Sequence, residues 1–342
     1  MAEDADGTTA AGGDDDHERL LELASRSDLT AALQLADGLL AGGLTVERFV
    51  TDIVAPVQRR IGQLWQTNRW TVAQEHAATA VIDAVVGVLD RRSPDLPART
   101  GRIAVVCAEG EWHVLATRLV TAGLRSRGWA VVNLGGSMPA PHLATAARRE
   151  DWTAAVVCCS ISMHLPGAGR SIRAVRGEGV PVLATGAGYG PDERRARALG
   201  ADGWAADLGA GDILLERWAA GEAPGPDAPA PEPEALALEA ERGEIVVAAT
   251  DRLAERWPAV RDYDAAQLAR THEDLQFLLR FLEAAVMTGD DRVMVEYLVW
   301  LEEVLTSRGL PASVVDESLR AVQAALPSHL RRTHDVLLGL LS

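Results

Sequence analysis

Strand-like and helix-like patterns alternate through the middle of the chain, and this alternation limits the fold more than any other feature. Short apolar runs rich in β-branched residues are typical of buried parallel strands. Such runs occur at 103–107, 130–134, 154–160 and 180–185, with a last one near 203–204, and helical patterns lie between them at 113–127, 140–150, 166–177 and 192–199. The sequence therefore predicts a doubly wound α/β domain at 98–218, with a parallel sheet in a flavodoxin-like layout.

Helical patterns flank this domain on both sides. Residues 17–92 carry apolar side chains at helical spacing between short loops, and they predict a bundle of amphipathic helices. Pro56 lies inside one pattern and is expected to kink its helix. Residues 219–235 are rich in Pro and Ala and predict an extended linker, and residues 236–342 predict a helical C-terminal domain. The acidic residues 1–16 are expected to be a disordered tail.

Composition narrows the class of protein. The net charge of −16 argues against direct nucleic-acid binding, which needs a basic surface to neutralise phosphates. We find no apolar run that suggests a membrane span and no signal-peptide pattern. Cys158 and Cys159 are adjacent in a predicted strand and so point to opposite faces, which disfavours a disulfide or metal clip. These observations favour a cytoplasmic protein that contacts neither nucleic acid nor membranes.

The loop after the first predicted strand carries Glu111, Trp112 and His113. Ligands of α/β sheets bind at the carboxyl ends of the strands, so this loop lies at the default ligand crevice. A carboxylate beside an imidazole fixes its tautomer and raises its basicity towards a metal. His113 is therefore a candidate metal ligand, and a loop histidine without a ligand is the alternative.

The segment Glu111-x-His113-x-x-Ala116 resembles the lower-ligand loop of cobalamin-binding domains. That loop usually reads Asp-x-His-x-x-Gly, with a Glu-first variant in the light-sensing branch of the family. In the family the histidine displaces the dimethylbenzimidazole base and ligates cobalt from below. The resemblance implies that His113 is the lower axial ligand of cobalt, that Glu111 supports it, and that Trp112 lies beside the cofactor. Ala116 departs from the pattern, since it replaces a glycine.

A second resemblance lies in the helical segment before the sheet. This segment has a tryptophan, Trp65, followed after nine residues by Glu75-His76. The pattern is similar to the cap of the cobalamin-dependent photoreceptors. In those proteins the tryptophan packs over the adenosyl group, the glutamate hydrogen-bonds it, and the histidine can ligate cobalt after photolysis. The resemblance implies these roles for Trp65, Glu75 and His76. The alternative is a core tryptophan with an exposed Glu-His pair.

The loops after the next three predicted strands supply a third resemblance. Cobalamin-binding domains carry a glycine-containing loop before a proline after the second strand, and their next two loops line the groove for the displaced nucleotide tail. There, hydroxyls bond the tail and glycines allow close backbone approach. The resemblance implies cofactor contacts at Gly135, Ser137, Met138, Ser160, Ser162, Gly186 and Gly188. A dinucleotide loop is the alternative, but no G-x-G-x-x-G follows the first strand. His164, just beyond, is expected at the surface.

The C-terminal segment predicts helices at 244–257, 264–288, 290–308, 313–326 and 329–341. The runs that contain His272 and Tyr297-Leu-Val-Trp300-Leu resemble the globin-like C-terminal domain of the photocobilins, cobalamin photoreceptors whose second chromophore is biliverdin. A linear tetrapyrrole needs Arg for its propionates, polar groups near its nitrogens and aromatic side chains against its rings. The resemblance implies such contacts for His272, Arg280, Tyr297, Trp300 and Arg308. The alternatives are core aromatics, a solvated His272, and an Arg308 that caps its helix.

Together these resemblances imply a light sensor and not an enzyme. It would use adenosylcobalamin, and biliverdin as a second chromophore, and photolysis of the cobalt–carbon bond would change its domain arrangement or oligomeric state. Because no output domain is recognisable, it would signal through a light-dependent homo-oligomer or a separate output protein. The main alternative is a corrinoid carrier for methyl transfer, which favours a small, open upper face. No feature of the sequence indicates cobalamin storage. A radical mutase is disfavoured because it would need a substrate barrel, which the sequence does not predict.

Overall fold

The structure is a computed structural model that describes residues 11–89, 96–225, 230 and 232–341. It divides into two compact units, which are described separately. One contains Met1–Gly101 and Thr117–Asn133, and the other contains Arg102–Ala116 and Leu134–Ser342.

The first unit is built mainly from helices, as the sequence predicts. They are α1 (Ala11–Ser25), α2 (Leu29–Ala41), α3 (Val46–Arg48), α4 (Ala55–Gln66) and α5 (Val72–Leu89). The side chain of Asp28 caps α2 by accepting a hydrogen bond from the amide of Ala31 at 3.1 Å. The predicted disordered tail is wrong for residues 11–16, which form the start of α1, and residues 1–10 lie outside the described residues.

Pro56 alters its helix in a specific way. Phe49–Val54 form a π-helical turn, in which the amide of Ala55 donates to the carbonyl of Val50, five residues back. Pro56 follows in the first turn of α4, which continues directly from this π-helical turn, and its missing N–H cannot donate to the preceding turn. The predicted irregularity is therefore a widened turn before the proline.

Among the described residues, α5 alone is long and apolar enough to cross a membrane, judged by length and composition. This differs from the expectation that no segment would reach that threshold. Ala78, Ile82, Val85 and Val86 of α5 are buried in the bundle, where the helix packs on α2 and α4. A buried bundle helix has the same composition, so this finding is weak evidence for a membrane span.

The sheet has five strands in the order β2-β1-β3-β4-β5. The strands are β1 (Arg102–Cys107), β2 (Ala130–Gly135), β3 (Ala154–Cys158), β4 (Val182–Thr185) and β5 (Gly203–Ala205). The pairs β1–β3, β3–β4 and β4–β5 are parallel, with Val105 opposite Val156 in the first of them. The residues of β1 after Arg102 and all of β3 are buried, as expected for strands covered on both faces. The predicted α/β fold is confirmed.

Four helices of this domain lie where the sequence predicts them, apart from shifts of a few residues at their ends. They are α6 (Val114–Ser126), α7 (Ala140–Arg149), α8 (Leu165–Arg176) and α9 (Arg194–Ala198). A fifth helix, α10 (Leu208–Ala219), follows β5 and was not predicted. The strand predicted to reach Ser160 ends at Cys158. The loop that begins there is therefore longer than expected, and a 3-10 turn, Ser162–His164, closes it.

The C-terminal segment is entirely helical between its turns. It contains α11 (Pro233–Arg256), α12 (Ala265–Thr288), α13 (Arg292–Ser307), α14 (Ser313–Ala325) and α15 (Arg331–Leu341). The predicted start of the first helix at residue 244 is wrong, because α11 begins inside the predicted linker. Pro233 fits the first turn of a helix. The carboxylate of Glu234 accepts hydrogen bonds from the amides of Arg332 at 3.0 Å and Thr333 at 2.6 Å.

The C-terminal helices share a hydrophobic core with the sheet. One buried cluster includes Val106 and Val157 of the strands together with Leu279 and Tyr297 of the C-terminal helices. Helix α12 packs on the 3-10 turn at the end of β3 and on α8 and α9. The helical segment is thus joined to the loops at the carboxyl ends of the strands by packing.

Candidate functional site

The side chains of Glu111 and His113 meet in the loop between β1 and α6. Glu111 is fully buried, and its two carboxylate oxygens accept the amide of Ser160 at 3.0 and 3.1 Å. The Nδ1 atom of His113 lies 2.9 Å from Oε1 of Glu111. A carboxylate only accepts hydrogen bonds, so Nδ1 carries the proton and Nε2 carries the ligating lone pair. The His113 side chain is 52 % exposed, so a ligand can approach it.

His164 is the third member of this group. Ligand atoms of Glu111, His113 and His164 all lie within 4.8 Å of one another. The expectation that His164 lies at the surface is wrong, since it is only 5 % exposed. Burial lowers its pKa to about 4, which keeps the imidazole neutral at neutral pH. The Nη2 atom of Arg280, on α12, lies 3.5 Å from Nδ1 of His164.

The loop after β2 touches the loop that carries Glu111. The hydroxyl of Ser137 accepts the amide of Gly110 at 3.2 Å. A Cβ atom on Gly136 would lie 3.2 Å from Trp112 and 3.2 Å from the carbonyl of Glu111, so a side chain here would require its neighbours to shift slightly. Trp112 is 74 % exposed, and Met138 packs against the hydrophobic core. The structure thus brings Ser137 and Trp112 together with the Glu111–His113 pair.

The loops after β3 and β4 also contact each other. We call residues 160–162 and 186–188 the tail loops. The hydroxyl of Ser162 donates to the carbonyl of Gly188 at 2.9 Å. A Cβ atom on Gly186 would lie 2.4 Å from the carbonyl oxygen of Cys159, and one on Gly188 would lie 2.7 Å from its sulfur. The packing of the two loops against each other therefore requires both glycines, whether or not a ligand is bound.

The cap residues lie around the turn between α4 and α5, in the first unit. Thr71 and Gln74 start α5 with reciprocal hydrogen bonds, from the Thr71 amide to Gln74 Oε1 at 2.9 Å and from the Gln74 amide to the Thr71 hydroxyl at 3.3 Å. This places Glu75 and His76, whose side chains contact each other, in the first turn of the helix. Trp65 is half-buried at the end of α4, so it is not a fully enclosed core residue.

Sequence reasoning missed two residues that hold Glu75. The hydroxyl of Thr79 donates to Oε1 of Glu75 at 2.9 Å and accepts from Nε2 of Gln58 at 3.1 Å. Thr79 follows Glu75 by one helical turn, so its spacing could have identified it. Gln58 is on another helix and leaves no such signal.

Of the five residues proposed for a bilin, Tyr297 and Trp300 contact each other. Tyr297 stacks on Phe281 at 4.0 Å between ring centroids and on Trp300 at 6.1 Å. Arg280 lies beside His164, as described above. Arg308 donates to the carbonyl of Val304 at 2.8 Å, at the end of its own helix. His272 is half-buried on α12. The aromatic stack is therefore the part of this prediction that the structure brings together.

Asp274 is a further polar group near the stack that sequence reasoning missed. It is accessible to solvent, yet the surrounding protein raises the pKa of its carboxyl to about 6, and the charge of Glu273 adds to this shift. Burial raises the pKa of Tyr297 well above its usual range, and the nearby charge of Asp274 adds to it.

Comparison with known proteins matches three segments of the chain. Residues 17–90 and residues 101–210 each match a family model described as a B12 binding domain. Residues 233–339 match the model of the phycobilisome proteins. No curated protein matches the chain.

Solved structures resemble the chain at low identity. The monomethylamine corrinoid protein of Methanosarcina barkeri is 18 % identical, with 60 % of this chain and 99 % of that chain covered and a TM-score of 0.49. A cobalamin-binding protein from Desulfitobacterium hafniense DCB-2 is 16 % identical, with 58 % and 97 % covered and a TM-score of 0.31. The methanol:cobalamin methyltransferase complex MtaBC of Methanosarcina barkeri is 16 % identical, with 58 % and 78 % covered and a TM-score of 0.30. From the family models, the chain consists of cobalamin-binding domains followed by a phycobilisome-like C-terminal domain.

Proposed function

We propose that this protein is a light sensor that uses adenosylcobalamin and biliverdin, and that it is not an enzyme. The observation that carries the proposal is the presence of cobalamin-binding domains and a phycobilisome-like domain in one chain. When bound, adenosylcobalamin supplies a cobalt–carbon bond that visible light breaks. The residues of the chain hold the cofactor, set its axial ligand and respond to the change.

His113 would hold cobalt in this proposal. The donor set fits that task, because the buried carboxylate of Glu111 fixes the proton on Nδ1 and leaves Nε2 for the metal. Ser160 in turn holds Glu111, so the imidazole is oriented by a network anchored in the sheet. The tail loops and the loop of Ser137 contact the rest of the corrinoid.

Trp65 and Glu75 hold the upper ligand. The half-buried tryptophan offers a flat apolar face to the adenosyl group. The hydrogen bond from Thr79 to Oε1 fixes Glu75 for contact with the same group. Without the adenosyl group these two residues would lose that contact, and His76 could then hold cobalt. A difference in contacts between two states is what a switch requires.

The stack of Phe281, Tyr297 and Trp300, with Asp274 beside Tyr297, supports the biliverdin proposal. Aromatic faces suit pyrrole rings, and a carboxyl suits their N–H groups. All three cysteines of the chain precede residue 160, which disfavours a thioether bond between a bilin and this domain. The output is a light-dependent homo-oligomer or a separate partner protein in the cytoplasm.

The test compares the association state before and after green light. The full chain is loaded with adenosylcobalamin, alone and with biliverdin, and its mass is measured by light scattering in the dark and after illumination. We expect the mass, or the affinity for a partner, to change only in the adenosylcobalamin-loaded sample, with hydroxocobalamin as the control. A protein that is inert to light, but accepts and passes on the methyl group of methylcobalamin, would instead be a corrinoid carrier.

A further inference from the structure

Arg195 is the largest fully buried side chain among the described residues, although it is charged. It lies on α9, in the α/β domain. An unpaired guanidinium inside a protein costs several kcal/mol. The burial of Arg195 therefore depends on the groups that surround it.

Two carboxylates from the C-terminal segment pair with Arg195. Its Nε atom donates to Oδ2 of Asp290, in the turn after α12, at 2.8 Å. Its Nη2 atom donates to Oε1 of Glu296, on α13, also at 2.8 Å. Asp290 is 8 % exposed, and hydrogen bonds from Arg292 and then Arg195 hold its pKa well below the usual range. The phycobilisome-like domain thus supplies both negative charges that keep Arg195 in place.

The other edge of the same guanidinium faces the tail loops. Its Nη1 atom lies 3.4 Å from the hydroxyl of Ser162 and 3.5 Å from the carbonyl of Gly188. A Cβ atom on Gly190 would lie 3.0 Å from the Arg195 guanidinium, so the chain beyond the second tail loop rests directly on it. The distances from Nη1 to Ser162 and to Gly188 are at the long end for hydrogen bonds. Arg195 therefore acts here by packing and by orienting the two oxygen atoms.

We infer that Arg195 is a positioning residue for the nucleotide tail of the corrinoid, and that the phycobilisome-like domain completes the tail groove by holding it. This inference rests on the proposed assignment of the tail loops. Arg195 touches both loops, and its orientation is set by Asp290 and Glu296. The affinity for a tailed corrinoid therefore depends on residues outside the cobalamin-binding domains.

A second contact supports the same conclusion. Helix α12 packs on the turn Ser162–His164, and Arg280 of that helix lies 3.5 Å from Nδ1 of His164. The C-terminal domain therefore contacts this turn directly at His164, through Arg280, and acts on Ser162 indirectly, because Asp290 and Glu296 hold Arg195 of α9. Movement of α12 or α13 would shift the first tail loop.

The experiment compares two corrinoids that differ in the tail. Hydroxocobalamin carries the nucleotide tail, whereas aquacobinamide keeps the corrin ring and cobalt but lacks it. Dissociation constants of both are measured for the full chain and for Asp290→Asn, Glu296→Gln and Ser162→Ala. The matched control is Arg256→Gln, which removes an ion pair with Glu317 between α11 and α14, away from the tail loops.

We expect Asp290→Asn to raise the dissociation constant of hydroxocobalamin roughly tenfold, as for a lost charge-assisted hydrogen bond, and to leave that of aquacobinamide unchanged. Ser162→Ala should act in the same direction, and Arg256→Gln should affect neither corrinoid. Glu296 is partly exposed, so Glu296→Gln tests the inference if Asp290→Asn does not fold. An equal loss of affinity for both corrinoids in these variants, or no loss of affinity for either corrinoid, would overturn the inference. A wild-type chain that binds neither corrinoid would overturn the proposed function itself.

Discussion

The carboxylate of Glu111 and the imidazole of His113 form a single unit, with Oε1 2.9 Å from Nδ1 and the carboxylate anchored on the amide of Ser160. The imidazole of His113 is half-exposed, and the carboxylate of Glu111 that holds it is fully buried. A histidine held in this way is oriented before a metal arrives.

Replacement of this carboxylate should weaken corrinoid binding. In Glu111→Gln the amide oxygen still accepts the Ser160 amide, but the negative charge behind His113 is lost. We expect the cobalamin dissociation constant to rise about 10- to 100-fold, the usual effect of removing such a partner. Glu109→Gln is the control, because Glu109 is in the same loop but pairs with Arg170 at 2.7 Å. Equal affinities for Glu111→Gln and the wild type would contradict this role.

Thr79 should affect the choice of upper ligand. Thr79→Val removes the donor to Glu75 while keeping the shape of the side chain. A lost neutral-to-charged hydrogen bond of this kind is worth about 1.5 kcal/mol, or roughly tenfold. We expect the preference for adenosylcobalamin over methylcobalamin to fall by about that factor, measured by competition, and Thr79→Ser to restore it. Were Thr79→Ser to lose the preference as well, the hydroxyl would not be the cause.

Glu283 should make stability depend on pH. It is 1 % exposed, and burial raises its pKa from 4.5 to about 7, while Arg242 at 2.8 Å opposes the shift. Between these two values the folded state keeps a proton that the unfolded state has released. The protonated Glu283 carboxyl therefore stabilises the folded state below pH 4.5. This stabilisation is lost as pH rises towards 7, at no more than about 1.4 kcal/mol per pH unit.

Glu283→Gln removes this titration and provides the test. The free energy of unfolding of the variant, relative to the wild type, should increase as pH rises from about 5 to 7 in urea titrations. Glu255→Gln, at a side chain that is 61 % exposed, is the control and should show no such trend. A difference that is constant with pH would show that Glu283 is ionised throughout.

The aromatic stack should determine biliverdin binding. Tyr297→Leu removes the ring between Phe281 and Trp300, whereas Tyr297→Phe keeps it. Stacked aromatic pairs contribute about 0.5–1.5 kcal/mol beyond their buried area. We therefore expect Tyr297→Leu to weaken biliverdin binding several-fold, measured from the red absorption band, and Tyr297→Phe to bind as the wild type does. Loss of binding in both variants would assign the effect to the hydroxyl.

The sequence predicts those features of the fold that short segments determine. Short stretches of sequence encode the buried runs of β1 and β3 and the apolar face of α4, and the structure confirms these elements. The pair Glu111 and His113 lies within three residues, so its contact could be expected. The start of α11 was missed because the Pro-rich composition outweighed the fit of Pro233 to a first helical turn.

Long-range contacts explain the rest. Arg195 reads as one of several basic residues on a short helix, and only the fold brings Asp290 to it across 95 positions of sequence. His164 reads as a loop histidine, but in the fold it is buried and its turn packs against α12. The contact of Arg280 with His164 was likewise not predictable, because a local pattern does not show which domain its helix will contact.

The most direct measurement is the absorption spectrum of the adenosylcobalamin-loaded chain before and after green light. We expect the spectrum to change to that of hydroxocobalamin or of a bis-histidine cobalamin, and the bound form to be lost in His113→Ala. His142→Ala, at an exposed histidine of the same domain, should behave as the wild type does. A loaded protein whose spectrum stays that of adenosylcobalamin after illumination would contradict the proposed light sensor.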